Sequence, residues 1–269
     1  MAVKKHKELP EGTWGRINFQ RDEFRYWEFG KLRLWVKNEG NEWRIAREYL
    51  EEMTTAPRFA EPAEEPAGSA WNRYITEKTD SFQMKPVLPD RPIIVRPEFP
   101  LKILGDSSAA LFLHIPVWLQ AVAVSGKNEL VLDEFPSEML SSTWFGDMKT
   151  GELCYAFKEY LKPLPMVPSE QYWFAVCPLV IRNTSQTALD FQRFCVRAEH
   201  LTLYTGKESL YTNEIQVRFF GEDQSSQMTF ASRPPETGET MKVVAEPREP
   251  YSSSLLKKSF SFLKTLTEI

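Results

Sequence analysis

Apolar residues recur at every second position through much of this chain. Leu32, Leu34 and Val36 alternate with Arg33, Trp35 and Lys37. Ile215, Val217 and Phe219 alternate with Glu214, Gln216 and Arg218, and Leu201 and Leu203 alternate with His200, Thr202 and Tyr204. Successive side chains of a strand point to opposite faces, so each run predicts a strand with one apolar and one polar or mixed face. Turn signals fall between the runs. S-G-K-N (125–128) divides Val117–Val124 from Glu129–Asp133 as a hairpin, R-N-T-S-Q-T (182–187) divides two apolar stretches, and T-G-K-E-S (205–209) follows a further strand. With nineteen prolines and short gaps between strands, the pattern predicts a mainly antiparallel all-β protein, a β-sandwich of immunoglobulin or jelly-roll type.

Two segments depart from period two. N-E-W-R-I-A-R-E-Y-L-E-E-M (41–53) fits a helix with Asn41 as cap and Trp43, Ala46, Leu50 and Met53 on one face; Trp43 and Ile45 equally fit a strand. The C-terminus has three serines followed by Leu256, Phe260, Leu263 and Leu266 at helical spacing, with lysines off that stripe. It predicts a short amphipathic helix over 251–269 whose stripe docks on the protein's own sandwich first of all, or else on a second copy, a protein partner or a membrane surface. Residues 56–70 are rich in Ala, Glu and Pro and read as exposed chain. The expected organisation is a β-rich N-terminal subdomain (1–55), a linker or long loop (56–84), a main β-sandwich (85–250) and the C-terminal helix.

S-S-T-W-F-G-D-M-K-T-G-E-L-C-Y-A-F (141–157) has the look of a catalytic loop. Leu153, Tyr155 and Phe157, however, alternate with Cys154, Ala156 and Lys158, so a strand follows Gly151 and the span from Gly146 to Gly151 is a hairpin turn. Asp147 and Glu152 at its tip are candidate ligand-binding positions.

A hydrophobic fraction of 42% and an aromatic fraction of 13% over 269 residues supply a real core and exclude wholesale disorder. The formal charge of −4, with no long Lys/Arg run, argues against a nucleic-acid surface. Cys154, Cys177 and Cys195 are widely spaced, which fits buried free thiols in a reducing cytoplasm better than a disulfide framework. Residues 109–124 are apolar, but His114, Pro116 and Gln120 interrupt them. Two buried strands meeting at Pro116 fit better than a transmembrane segment. The start carries lysines without an apolar stretch behind them, unlike a signal peptide.

Candidate chemistry is sparse. Only His6, His114 and His200 exist, and no G-x-S-x-G elbow accompanies them. His200, beside Glu199, is the best placed. No metal is expected: Cys and His lack zinc spacing, and Lys149 sits inside the one acidic turn that resembles a calcium loop. The Gly146-to-Gly151 spacing resembles a phosphate loop, yet Glu152 follows where lysine is needed. No cofactor is implied. Trp35, on the polar face of its strand, and Trp144, near the hairpin tip, are candidates for stacking on a sugar.

Several stretches in order resemble one family: L-P-D-R-P-I-I-V-R-P-E-F-P-L, A-L-F-L-H-I-P-V-W-L-Q-A-V, T-W-F-G-D-M-K-T-G-E-L-C-Y, V-I-R-N-T-S-Q-T-A-L-D-F and L-T-L-Y-T-G-K-E-S-L-Y-T-N-E-I-Q-V. They are similar to an uncharacterised family of archaea and bacteria, a domain of unknown function. Its marks are an aromatic-Gly…Gly-x-x-Cys-aromatic hairpin and a later hydrophobic-Asn-x-Ser segment. The resemblance covers about residues 85–220. It carries no activity or catalytic residues onto this chain, and Tyr155 stands where a basic residue is expected after the cysteine. It implies, for some members, genes beside those of mechanosensitive channels, and hence a membrane or channel partner at the periphery. The resulting expectation is a non-catalytic cytoplasmic binding or assembly module, regulatory in some settings. A small-ligand or carbohydrate-binding sandwich is the alternative, and a hydrolase comes third.

Overall fold

A computed structural model describes residues 13–52, 57–66, 68, 70–77, 79, 81–146, 151–159, 161–163, 171–250 and 255–256. Among the described residues, strands form five sheets, mostly antiparallel, and the helical content is one 3-10 turn at Ala198–His200. Contacts divide the chain into two units of interleaved sequence. Unit 1 is 1–87, 116–139 and 170–173; unit 2 is 88–115, 140–169 and 174–269.

Unit 1 holds two antiparallel sheets. The five-stranded one runs β5 (Arg58–Pro62), β2 (Phe24–Phe29), β3 (Leu32–Asn38), β4 (Glu42–Tyr49), β6 (Trp71–Ile75). The four-stranded one runs β1 (Arg16–Asn18), β7 (Ser81–Val87), β11 (Trp118–Ser125), β12 (Asn128–Pro136). Alternation decides their facing. In β3, Leu32, Leu34 and Val36 are fully buried while Arg33, Trp35 and Lys37 are half-buried on the other side. The buried side meets Phe82 of β7, whose ring lies 5.4 Å from Trp27 and 5.3 Å from Trp43; Phe19 touches all three. One margin of this core is closed by Trp14, Phe29 and Phe59. The other is closed by Tyr74, which hydrogen-bonds Asp133, and by Tyr49, which donates to the Pro136 carbonyl at 3.1 Å. The β2–β3 hairpin turns at Gly30, where φ is +58° and an added Cβ would sit 3.0 Å from the Trp173 indole nitrogen.

Unit 2 holds the rest. Its nine-stranded mixed sheet runs β23 (Lys242–Ala245), β19 (Leu203–Thr205), β20 (Leu210–Thr212), β16 (Phe174–Asn183), β21 (Ile215–Phe219), β22 (Gln227–Phe230), β24 (Leu255–Leu256). β10 (Ser107–Pro116) joins at β16 and carries β15 (Lys162–Pro163). A four-stranded sheet runs β13 (Ser141–Phe145), β14 (Glu152–Glu159), β8 (Ile93–Pro97), β18 (Phe194–Val196), and β17 (Leu189–Phe191) pairs β9 (Leu101–Ile103). β8–β14, β16–β20 and β16–β21 are parallel pairs.

The structure decides one open alternative and revises two expectations. Residues 42–49 form a strand, because Trp43 and Ile45 must both face the core and a helical register would separate them. The 56–84 stretch is no bare linker: it supplies β5, β6 and the start of β7. W-N-R-Y-I and S-F-Q-M-K carry the alternation that the Ala/Glu/Pro run before them obscures. Of the expected C-terminal helix over 251–269, only Leu255 and Leu256 lie among the described residues, and they are not helical. Leu255–Leu256 is extended and pairs with Met228 and Gln227 on β22, so pairing with a sheet margin overrides helical spacing there. Phe260, Leu263 and Leu266 lie outside the described residues. Residues 109–124 form the two strands expected, β10 and β11, and among the described residues no helix is long and apolar enough to cross a membrane.

Loops are pinned by buried asparagines. Asn183 donates through Nδ2 to the carbonyls of Ile103, Leu104 and Thr187, while its Oδ1 accepts from the Ser185 amide at 3.0 Å. The N-T-S stretch is thus a turn staple whose amide is fully engaged. Phe82→Ala should cost about 3–5 kcal/mol, as large-to-small core changes do. Urea denaturation of the full chain checks it, and a loss below 1 kcal/mol would contradict the inter-sheet packing described.

Candidate functional site

Strand register assembles one face that the core does not use. Across β2, β3, β4 and β6, Tyr26 pairs with Trp35, Trp35 with Ala46, and Ala46 with Trp71, so these four share a row on the outer face of the five-stranded sheet. The row on one side is Glu28, Arg33 and Glu48; on the other it is Phe24, Lys37, Arg44 and Arg73. The rings lie over the sheet. Tyr26 and Trp35 are 5.2 Å apart, and Phe24 and Trp71 are 6.0 Å apart although β3 and β4 lie between their strands, a backbone separation of ~14 Å. Ala46 is the small residue over which they close, and it is fully buried despite facing outward. Trp35, Trp71 and Phe24 remain partly exposed.

The cations of this face are held by shared carboxylates. Arg73 grips Glu42 through two bonds of 2.6 Å, and Arg44 reaches the same carboxylate at 2.8 Å and Glu39 at 2.7 Å. Lys37 pairs with Glu39 at 2.6 Å and sits 5.0 Å over the Phe24 ring. Arg33 binds Glu28 at 3.0 Å, and Tyr26 donates its hydroxyl to Glu28. Arg73 and then Arg44 hold the Glu42 carboxyl at about 2. Burial, followed by the bond to Glu28, pushes the Tyr26 hydroxyl well up, so it stays a donor. The face offers aromatic surface beside fixed donors and acceptors, without surplus charge.

Of the sequence candidates, Trp35 lies at the centre of this face. Trp71 and Phe24 were missed; Trp71 is hidden by the Ala/Glu/Pro run before it, and only register shows that it joins Trp35. Trp144 lies elsewhere, in unit 2, exposed beside its cross-strand partner Leu153 on the β13–β14 hairpin. Arg193 donates to the Trp144 carbonyl at 3.1 Å. The hairpin itself is as expected, with Phe145 opposite Glu152 and Gly146 at φ +99°; Asp147 lies outside the described residues.

Glu152 and His200 are brought near each other. Arg197 pairs with Glu152 and lies 3.9 Å from Glu199, whose other neighbour is His200 Nε2 at 3.9 Å. Burial raises Glu199, and its Oε2 is buried without a hydrogen-bond partner. His200 is buried, with Nδ1 3.1 Å from the Glu249 carbonyl and its ring 5.9 Å from Phe230. This arrangement ties residue 249 to the 3-10 turn, where the Glu249 amide also donates to the Glu199 carbonyl at 3.0 Å. Cys154 and Cys195 pack beside it with Ile94 and Phe145, and the Cys154 thiol donates to the Glu152 carbonyl at 3.5 Å. β8 separates the strands of the two cysteines by ~9.5 Å, too far for a disulfide, which needs Cα atoms within about 7 Å. The neighbouring Cys154 thiol, then burial, holds the Cys195 thiol well up, and burial pushes Cys177 up to about 12. Among the described residues no cluster of three His, Cys, Asp or Glu is placed to hold a metal. Tyr155, where the resemblance leads one to expect a base, donates to Asp90 at 2.8 Å beneath Arg91.

A family model described as a protein of unknown function (DUF432) matches residues 13–264, taking in the five-stranded sheet that the sequence resemblance left out. No curated protein and no solved structure matches the chain.

The Glu42 pairs give a pH prediction. A carboxyl depressed from 4.5 to about 2 in the fold stabilises the fold above its unfolded value, and that contribution fades as pH falls through 4.5 to about 2. Arg73→Ala should raise the Glu42 midpoint toward 4.5 in a carboxyl-carbon NMR titration; an unmoved midpoint would contradict the bidentate contact.

Proposed function

We propose that this chain, which belongs to the protein family of unknown function DUF432, is a non-catalytic binding module whose recognition surface is the outer aromatic face of unit 1. The ligand that suits it best is a neutral saccharide strand. One observation carries the reading: Trp35 and Trp71 flank a buried Ala46 in register, with Tyr26 and Phe24 completing the layer. Aromatic rings stack on the apolar faces of sugar rings, and the engaged Arg–Glu pairs supply both donors and acceptors for hydroxyl groups. A polyanion would need cations free to replace counterions, and Lys37, Arg44 and Arg73 each already hold a carboxylate.

This reading takes unit 1 as a β-sandwich, supported by Phe82 of one sheet packing on Trp27 and Trp43 of the other. A cytoplasmic setting belongs to the proposal, supported by three free buried thiols. Titration calorimetry of the full chain against cellohexaose, maltohexaose and chitohexaose tests the proposal. At least one should bind, and Trp35→Ala and Trp71→Ala should each weaken it about tenfold, ~1.4 kcal/mol, while Trp144→Ala leaves it unchanged. No binding by any of the three, or binding indifferent to Trp35 and Trp71, would overturn the proposal.

A further inference from the structure

A second feature, in unit 2 and independent of the aromatic face, is a pair of exposed arginines held in register, as Lys158 and Arg96 also are on β14 and β8. β16 and β21 run parallel with Arg182 directly in register with Arg218. Both side chains are exposed. Neither forms an ion pair or a side-chain hydrogen bond among the described residues. Like charges opposite one another destabilise a sheet. Edge protection does not explain them, because both strands are interior to the nine-stranded sheet.

On the β21–β22 side the pair is flanked by neutral residues, with Val180 beside Gln216 in the adjacent row. Gln227 follows Arg218 in the same row, and Gln216 and Thr229 occupy the row next to it. Glu214, the closest acid before β21, takes a bond of 2.7 Å from Gln216 and pairs with neither arginine. The register is locked at this point. Asn183, the residue after Arg182, is in register with Phe219, the residue after Arg218. The Thr184 amide and hydroxyl both donate to the Phe219 carbonyl at 2.9 Å, and the triple bond of Asn183 to its loop fixes the strand end.

We propose that Arg182 and Arg218 form a preorganised anion site for a phosphomonoester group. Each guanidinium presents a planar fork of donors. A carboxylate occupies one fork; a terminal phosphoryl group, with three oxygens, takes both and removes the repulsion between them. The group can be carried by a small metabolite or by a lipid headgroup.

Two arms of one experiment separate these sources. In the first, inorganic phosphate is titrated into the full chain and the Arg Nε–H resonances are followed by NMR, with sodium chloride at matched ionic strength as reference. In the second, the chain is sedimented with phosphatidylcholine vesicles with or without phosphatidic acid. A saturable shift at both arginines in the first arm assigns a soluble ligand. Retention by the phosphatidic acid vesicles with no such shift assigns a headgroup. Either response should vanish in R182Q/R218Q. Without phosphate, R182Q should raise the thermal midpoint slightly, since repulsion is relieved. Failure in both arms, a response that chloride reproduces or that survives in R182Q/R218Q, or a lowered midpoint in R182Q would each overturn the proposal.

Discussion

The packing of Phe82 against Trp27 and Trp43 is the contact on which the rest of unit 1 depends. A strand has two faces and no third choice, so once Trp27 and Trp43 face Phe82, their neighbours in sequence must face away. Tyr26 and Glu28 flank Trp27, and Glu42 and Arg44 flank Trp43. All four arrive on the outer face because of that inward contact. A slip of one residue in β2 or β4 would bury charge and expose that strand's tryptophan. The inter-sheet core therefore sets both the stability of the unit and the composition of its open face.

The open face is stabilised in a different way. Its aromatic row cannot bury itself fully, and it lies across Ala46 between rows whose cations are held by Glu28, Glu39 and Glu42. Glu42 shows how far this goes: two arginines hold its carboxyl at about 2. Such pairs contribute little each when exposed, but they fix the positions of donors and acceptors around the rings. Unit 2 reaches polar order by other means. Buried asparagines pin its turns, and Arg197 is enclosed between Glu152 and Glu199. Not every charge is matched: Arg182 lies in register with Arg218, and Lys158 with Arg96.

Much of the β character was legible in the sequence, because period-two alternation is a local signal. Leu32–Val36, the S-G-K-N hairpin and the strand after Gly151 follow it directly. Residues 42–49 were ambiguous, since Trp43, Ala46 and Leu50 fit a helical stripe as well as Trp43 and Ile45 fit a strand; only the neighbouring strands β3 and β6 decide. The Ala/Glu/Pro run hid β5 and β6 by composition, and Leu255 and Leu256 met a sheet margin that no local pattern announces. The candidate site was half visible. Trp35 on a polar strand face was a local signal, whereas its partnership with Trp71 is a matter of register across thirty-six residues of chain, as is the pairing of Arg182 with Arg218.

The central claim is that the outer face of the five-stranded sheet, and no other tryptophan-bearing surface, receives the ligand. Fluorine NMR of the full chain labelled with 5-fluorotryptophan tests it most directly, since each of the eight tryptophans reports separately. On titration with the hexasaccharide that binds, the resonances of Trp35 and Trp71 should move together and saturate, while those of Trp27, Trp43 and Trp144 stay in place. Movement at Trp144 with Trp35 and Trp71 unmoved would contradict the account.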